Sequence, residues 1–159
     1  MSNMKTLSFR HSFEAKHQPE IHATMLDFRL FGNVHPLMVD VKLIAAHPSG
    51  ESEFDVKEET KVGGWLKMKP RYTVFVSEPV PNEKIFYRSR VMGIMQLNID
   101  ITYSETNSSG QFELIETVHV SRIPLITKMF LKIFGEAHTQ AFANLRQHLA
   151  AAKPEFQNT

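Results

Sequence analysis

From Lys5 to Ala15 the chain alternates, with Leu7, Phe9, His11 and Phe13 on one side and Ser8, Arg10, Ser12 and Glu14 on the other. That period of two predicts a strand with one wet face. The segment KHQPEIHATMLDFRLFGNVHP follows, in which Pro19 suits the first turn of a helix and Ile21, Met25 and Phe28 make a short apolar stripe. Gly32 and His35-Pro36 break it, so two short helices are expected. From Leu37 to Ser121 the pattern is β throughout. Val39, Val41, Leu43 and Ala45 define one inner face. Phe54, Val56 and Val62 define a second, on a strand from Glu53 to Val62 that ends at Gly63-Gly64. Tyr72, Val74 and Val76 define a third, then Ile85, Tyr87, Ser89 and Val91. Met95, Leu97, Ile99, Ile101 and Tyr103 alternate most cleanly, and ETNSSG reads as a hairpin loop.

The last element has another period. No proline interrupts Pro124 to Ala152, and Phe130, Phe134, Ala137, Ala141, Leu145 and Leu149 recur at helical spacing. Leu131 lies off that stripe, and Gly135 sits mid-helix, where it marks a close approach or a bend. KPEFQNT is expected to be a frayed tail. One strand, two short helices, six more strands and one long helix must together hide a single apolar sheet face. The long helix is the element large enough to cover it, and a curved sheet wrapped around one helix leaves room for a pocket.

This order resembles the helix-grip fold of the START/Bet v 1-like (SRPBCC) superfamily, in its polyketide cyclase/dehydrase and lipid transport branch. The resemblance rests on the opening strand ending FEA, on PEIHATMLDFRLFGNVHPLM, on VKEETKVGGWLKMKPRYTVFVSEPVPNEKIFYRSR and on IPLITKMFLKIFGEAHTQAFANLRQHL. It implies an α+β helix-grip fold, a curved seven-stranded antiparallel sheet around a carboxy-terminal helix. Residues 1–159 then form a single domain with a core at about 5–152. It implies binding of a lipid or polyketide-like molecule in an internal cavity, or a cyclase or dehydratase acting there, and it transfers no catalytic motif.

The strand readings place His11, Glu58, Thr60, Tyr72, Tyr87, Ser89, Tyr103 and Glu116 on the inner face. Glu116 stands out, because FELIETVHV sets it among Phe112, Leu114, Val118 and Val120. In the resembling fold the first and last strands are neighbours, which brings His11 within reach of Glu116, with Glu58 facing them across the cavity. His11, Glu58 and Glu116 are therefore the catalytic candidates, as a coupled acid–base group. The expected ligand wall is Tyr72, Tyr87, Ser89, Leu97, Ile99, Tyr103, Leu114, Phe130 and Phe134. An unpaired carboxylate in a cavity costs stability, so Glu116→Leu is expected to leave the fold intact or stabilise it.

Composition narrows the field. Eighteen basic and seventeen acidic residues leave a net charge of +1 without a basic run, so no nucleic acid is expected as a partner. Zero cysteines remove disulfide and thiolate chemistry. The eight histidines show no HxH or HExxH spacing, Gly63-Gly64 lacks the context of a phosphate loop, and the serines lack a GxSxG elbow. No cofactor or metal is expected. The N-terminus lacks a signal-peptide core and no segment reaches membrane-span length, which points to a cytoplasmic chain with no integral membrane segment. KMFLKIFG, apolar nearly all round, is a candidate pocket gate, homodimer contact or membrane contact, with simple burial the plainer account. A small hydrophobic ligand is the expected partner. An interaction protein, such as a chaperone cofactor or toxin–antitoxin component, is the third reading.

Overall fold

The computed structural model describes residues 3–152, so the KPEFQNT segment lies outside the described residues. Nine strands and three helices follow in the order β1 (Met4–Glu14), α1 (Gln18–Leu26), α2 (Phe28–Val34), β2 (Met38–Ala46), β3 (Ser52–Glu58), β4 (Thr60–Val62), β5 (Leu66–Met68), β6 (Arg71–Val80), β7 (Lys84–Val91), β8 (Met95–Tyr103), β9 (Gln111–Ser121) and α3 (Ile126–Ala151). A 3-10 turn, Ala15–His17, joins β1 to α1. Seven strands make one antiparallel sheet in the order β1-β9-β8-β7-β6-β3-β2, and β4 and β5 form a separate two-stranded hairpin. The helices α1 and α2 carry the chain from one sheet edge to the other. Twenty-six residues of α3 span roughly 39 Å at the α-helical rise, enough to run along the concave face.

The alternation that marked the strands is kept in β7, β8 and β9, whose inner residues are buried, apart from half-buried Tyr103 at the end of β8, and outer ones exposed or half-buried. Two strands depart from the pattern. The strand expected from Glu53 to Val62 breaks at Glu59, whose N–H donates to Leu37 O at 2.8 Å, and β4 leaves the main sheet. In β2, bulges between Met38 and Asp40 and between Leu43 and Ala45 shift the register, so the regular inner face expected there is absent and Leu43 and Ile44 are exposed. β2 is an edge strand, where bulges are tolerated and blunt further pairing.

On α3 the buried face is Leu131, Phe134, Ala137, His138, Ala141, Phe142, Leu145 and Leu149. The stripe is rotated from the expected one: Leu131 is inside and Phe130 sits at its margin. Gly135 marks close packing, since a Cβ there would lie 3.2 Å from Phe9 Cε1. Gly32 is tighter still. A Cβ built on it meets Val41 Cγ2 at 2.6 Å, where α2 crosses β2. Gly32→Ala is therefore expected to lose about 1–3 kcal/mol in urea unfolding, as overpacked sites do. Adding Val41→Ala should restore part of it, and a Gly32→Ala chain as stable as the parent would show that α2 shifts freely.

Candidate functional site

Glu116 is fully buried, at 0% exposure, on the inner face of β9. Its register partner is Phe9 and that of Leu114 is His11, so His11 is its diagonal neighbour on β1. His11 Nε2–H donates to Glu116 Oε2 at 3.0 Å. The second carboxylate oxygen is taken from the helix side, where His138 Nδ1–H donates to Oε1 at 2.7 Å. Both imidazoles are held flat against phenylalanines. His11 stacks on Phe142 with 4.0 Å between ring centroids, and His138 on Phe134 at 3.8 Å. Such pairs contribute about 0.5–1.5 kcal/mol each beyond area burial and fix the ring orientations.

Burial by itself would raise the Glu116 carboxyl. The positive charge of His138 and the hydrogen bonds from His11 and His138 outweigh it and hold the group down at about 2. A carboxylate that accepts from two imidazoles is a compensated ion. Next to them, His35 is held down at about 3, first by burial and then by the charge of His138, whose ring centroid lies 5.3 Å away. His35 Nδ1 accepts the Leu37 N–H at 3.2 Å, so the neutral ring carries its proton on Nε2.

An internal cavity of about 110 Å³ lies between α3 and the β3–β6–β7–β8 part of the sheet. Its walls are chiefly apolar, including Phe28, Met68, Val74, Leu97, Ile99 and Ile133. His35, His138 and Glu58 are the titratable side chains among its lining apart from tyrosine. His138 belongs to this wall, its Nδ1 is held by Glu116, and its Nε2 has no hydrogen-bond partner among the described residues. Glu58 sits farther along. Burial raises its carboxyl, and the Tyr72 hydroxyl, which donates to it, and the charge of His138 only partly offset that.

Of the residues expected from sequence, Glu58, Tyr72, Tyr87, Ser89, Leu97, Ile99, Phe130 and Phe134 line the cavity. Four do not. His11 and Glu116 lie behind His138, in the core. Leu114 is fully buried opposite His11, and the Tyr103 hydroxyl bonds His22 Nδ1 at 2.7 Å beyond the end of the cavity. The Tyr103 site is a structural one: His22 Nε2–H also donates to Glu78 Oε1 at 2.7 Å, tying α1 to β6. Glu58 does not join His11 and Glu116 in one hydrogen-bonded group: its side-chain partner is the Tyr72 hydroxyl, while Glu116 is held by His11 and His138. His35 and His138 were missed. The signal for His138 was its place in the sequence: it falls four residues from Phe134 and Phe142 and seven from Leu131 and Leu145, on the buried stripe of α3. Among the described residues no group of three or more His, Asp or Glu is arranged to hold a metal. Both Glu116 oxygens are occupied at hydrogen-bond lengths.

Comparison with solved structures places this architecture. A START superfamily protein from Mycobacterium smegmatis matches with a TM-score of 0.65 at 14% identity, covering 94% of this chain and 99% of that one. The Zhui aromatase/cyclase from Streptomyces sp. R1128 matches at 0.66 and 12% identity, over 91% of this chain and 93% of that one. A protein from Thermus thermophilus matches at 0.69 and 11% identity, over 94% and 100%. The fold is the START/Bet v 1-like helix grip. No protein-family model and no curated protein matches the chain. At these identities the likeness establishes the helix grip and not its chemistry. No helix of the described residues is long and apolar enough to cross a membrane.

Proposed function

We propose that this chain binds a small hydrophobic or aromatic molecule in the helix-grip cavity, anchored by the imidazoles of His35 and His138. The observation that carries this reading is the distribution of polarity in the wall: apolar side chains on most sides and His35, His138 and Glu58 as the few convergent polar groups. His35 offers an Nε2–H donor, and His138 offers a nitrogen whose other side is fixed by Glu116. The cavity volume of about 110 Å³ is of the order of the ~150 Å³ apolar cavity that accepts benzene, so a single ring suits it and a longer guest would extend through the mouth.

The expected result is a ligand-dependent rise in melting temperature with single-ring phenols or aryl ketones. A ligand at one hundred times its Kd stabilises by about 2.7 kcal/mol, or roughly 5–10 °C for a chain of this size. Ser89→Phe, which fills the cavity from β7, should melt no lower than the parent and lose that response. If a panel of aromatics and lipids raises melting for none, and native mass spectrometry shows no adduct, the reading fails.

A second reading is favoured by the Glu116–His138 pair, because a carboxylate-oriented imidazole in the wall of a largely apolar cavity is suited to proton transfer. The Streptomyces neighbour is an aromatase/cyclase. In a dehydration here, His138 would act from its neutral form, with the ring proton on Nδ1 toward Glu116, and Nε2 would take a proton from a carbon beside a carbonyl. Glu58, whose burial favours the protonated acid, would return one to the departing hydroxyl, which leaves as water. Mass spectrometry of β-hydroxy ketones incubated with the protein would then show a product lighter by one water, and none with His138→Gln.

A further inference from the structure

The register of the main sheet brings three chain connections to one end. They are the β3–β6 segment with the β4–β5 hairpin, the β7–β8 turn, and the β9–α3 junction with the first turns of α3. All three contribute cavity-lining residues, among them Val62, Met92 and Met129, so this end is the cavity mouth. It is also where apolar side chains are left in solvent. Of the eleven large hydrophobic residues exposed among the described residues, six belong to these connections: Trp65, Leu66, Met92, Ile94, Leu125 and Met129. Trp65 is 82% exposed and Leu125 is 86% exposed. Neither exposure is an accident of a loose chain. Trp65 follows Gly63 and Gly64, whose φ values of 64° and 80° build the hairpin tip, and Leu125 is held at φ 63°, a conformation that branched residues seldom adopt.

Charge divides the molecule in the same way. The connections at the mouth carry six cations, Lys61, Lys67, Lys69, Arg122, Lys128 and Lys132, against one anion, Glu59. Lys67 and Lys69 share that anion at 3.2 and 3.7 Å, and Lys61, Lys128 and Lys132 have no acidic partner among the described residues. Counted in the same way, the connections of the opposite end carry Glu51, Glu83 and Glu105 against Lys16, with Glu51 bridged by Arg88 at 3.1 Å. The net charge of +1 hides this asymmetry. A ring of exposed Trp, Leu, Met and Ile among lysines suits a surface that is apolar beneath and anionic on top.

We propose that the cavity mouth docks on the surface of an anionic lipid bilayer, with Trp65 and Leu125 entering the headgroup boundary and the lysines facing the lipid charge. Tryptophan favours that boundary, and each lysine near it is drawn by the negative surface potential. Docking would set the apolar cavity against the bilayer, so that a hydrophobic ligand passes between them without crossing water; this last step alone rests on the ligand reading above.

Trp65 is the one tryptophan in the chain, which makes it a reporter of its own insertion. Ligand-free protein should co-sediment with vesicles of phosphatidylglycerol and phosphatidylcholine, with a blue shift of Trp65 emission, and bind far less to phosphatidylcholine alone. Binding should weaken with added salt. Lys128→Glu with Lys132→Glu should weaken it by at least about tenfold. Trp65→Ala and Leu125→Ser should also weaken co-sedimentation, while unchanged melting curves show that each variant folds. No co-sedimentation with the anionic vesicles at low salt would overturn the proposal, as would equal binding to both vesicle types or full binding by these variants. A Trp65 blue shift that grows with protein concentration in lipid-free buffer would overturn it too, and assign the patch to a second copy of the chain. Vesicle binding is read without a cavity ligand, so the two readings stand or fall separately.

Discussion

Glu116→Leu should unfold at much lower urea than the parent near neutral pH, losing about 3–5 kcal/mol. The carboxylate is the shared acceptor of His11 and His138, and removing one partner of a buried ionic group leaves the others desolvated and unpaired. The pH dependence gives an independent measure. The Glu116 carboxyl titrates at about 2 in the folded chain against an ordinary value of 4.5. A depressed acid contributes stability that is fully present above the unfolded value and is lost as pH falls through the folded one. For this shift the contribution is about 3 kcal/mol, present above pH 4.5 and fading toward pH 2. The deficit of Glu116→Leu should therefore shrink across that window. Glu116→Gln, which keeps the shape and one acceptor, should fall between the two. A leucine variant as stable as the parent at neutral pH would mean that the imidazoles do not depend on the carboxylate.

The sequence alone implied the opposite sign for that substitution, and the reason is specific. Alternation in FELIETVHV shows that Glu116 points inward, and alternation in LSFRHSF does the same for His11, because a strand states its two faces in its period. The neighbouring placement of β1 and β9 came from the resemblance to the helix grip. With His11 as its one visible partner, Glu116 read as an undercompensated charge. Its stronger partner, His138, comes from a helix, where the phase of the buried stripe must be inferred and a polar residue carries no vote in an apolar count. An apolar count runs the stripe through Phe130 in place of Leu131, and that rotation leaves both His138 and Phe142 off it.

The same contrast explains the edges of the fold. Regular alternation located β7, β8 and β9, yet it ran without interruption through Glu58, Glu59 and Thr60, where the chain leaves the main sheet. That break is made by a long-range bond from Glu59 N–H to Leu37 O, which local period does not encode. It is also what makes the mouth: by leaving the sheet, β4 and β5 project Trp65 from the end of the barrel-like wall and place Thr60, Val62 and Met68 over the cavity.

His35→Asn should gain stability relative to the parent as pH falls from about 7.5 to about 5. The folded imidazole is held at about 3 against an ordinary 6.5, by burial first and by the charge of His138 second. For a base with a lowered pKa, the unfolded chain takes up a proton below 6.5 while the native chain does not, so stability falls with pH until the folded value near 3 is reached. At pH 5 the loss amounts to about 2 kcal/mol. Asparagine cannot take up that proton, and its side-chain oxygen can accept the Leu37 N–H that His35 Nδ1 now accepts, in the manner of an Asx turn before proline. Urea midpoints of both proteins at the two pH values should differ in the variant's favour by about that amount more at pH 5, and the Glu116 contribution, common to both proteins, cancels in that difference. Parallel pH curves would show that His35 exchanges its proton freely in the folded chain. A flattened curve for the variant would establish that the cavity keeps a neutral imidazole, with Nε2–H available as a donor, across the range in which an exposed histidine would already be charged.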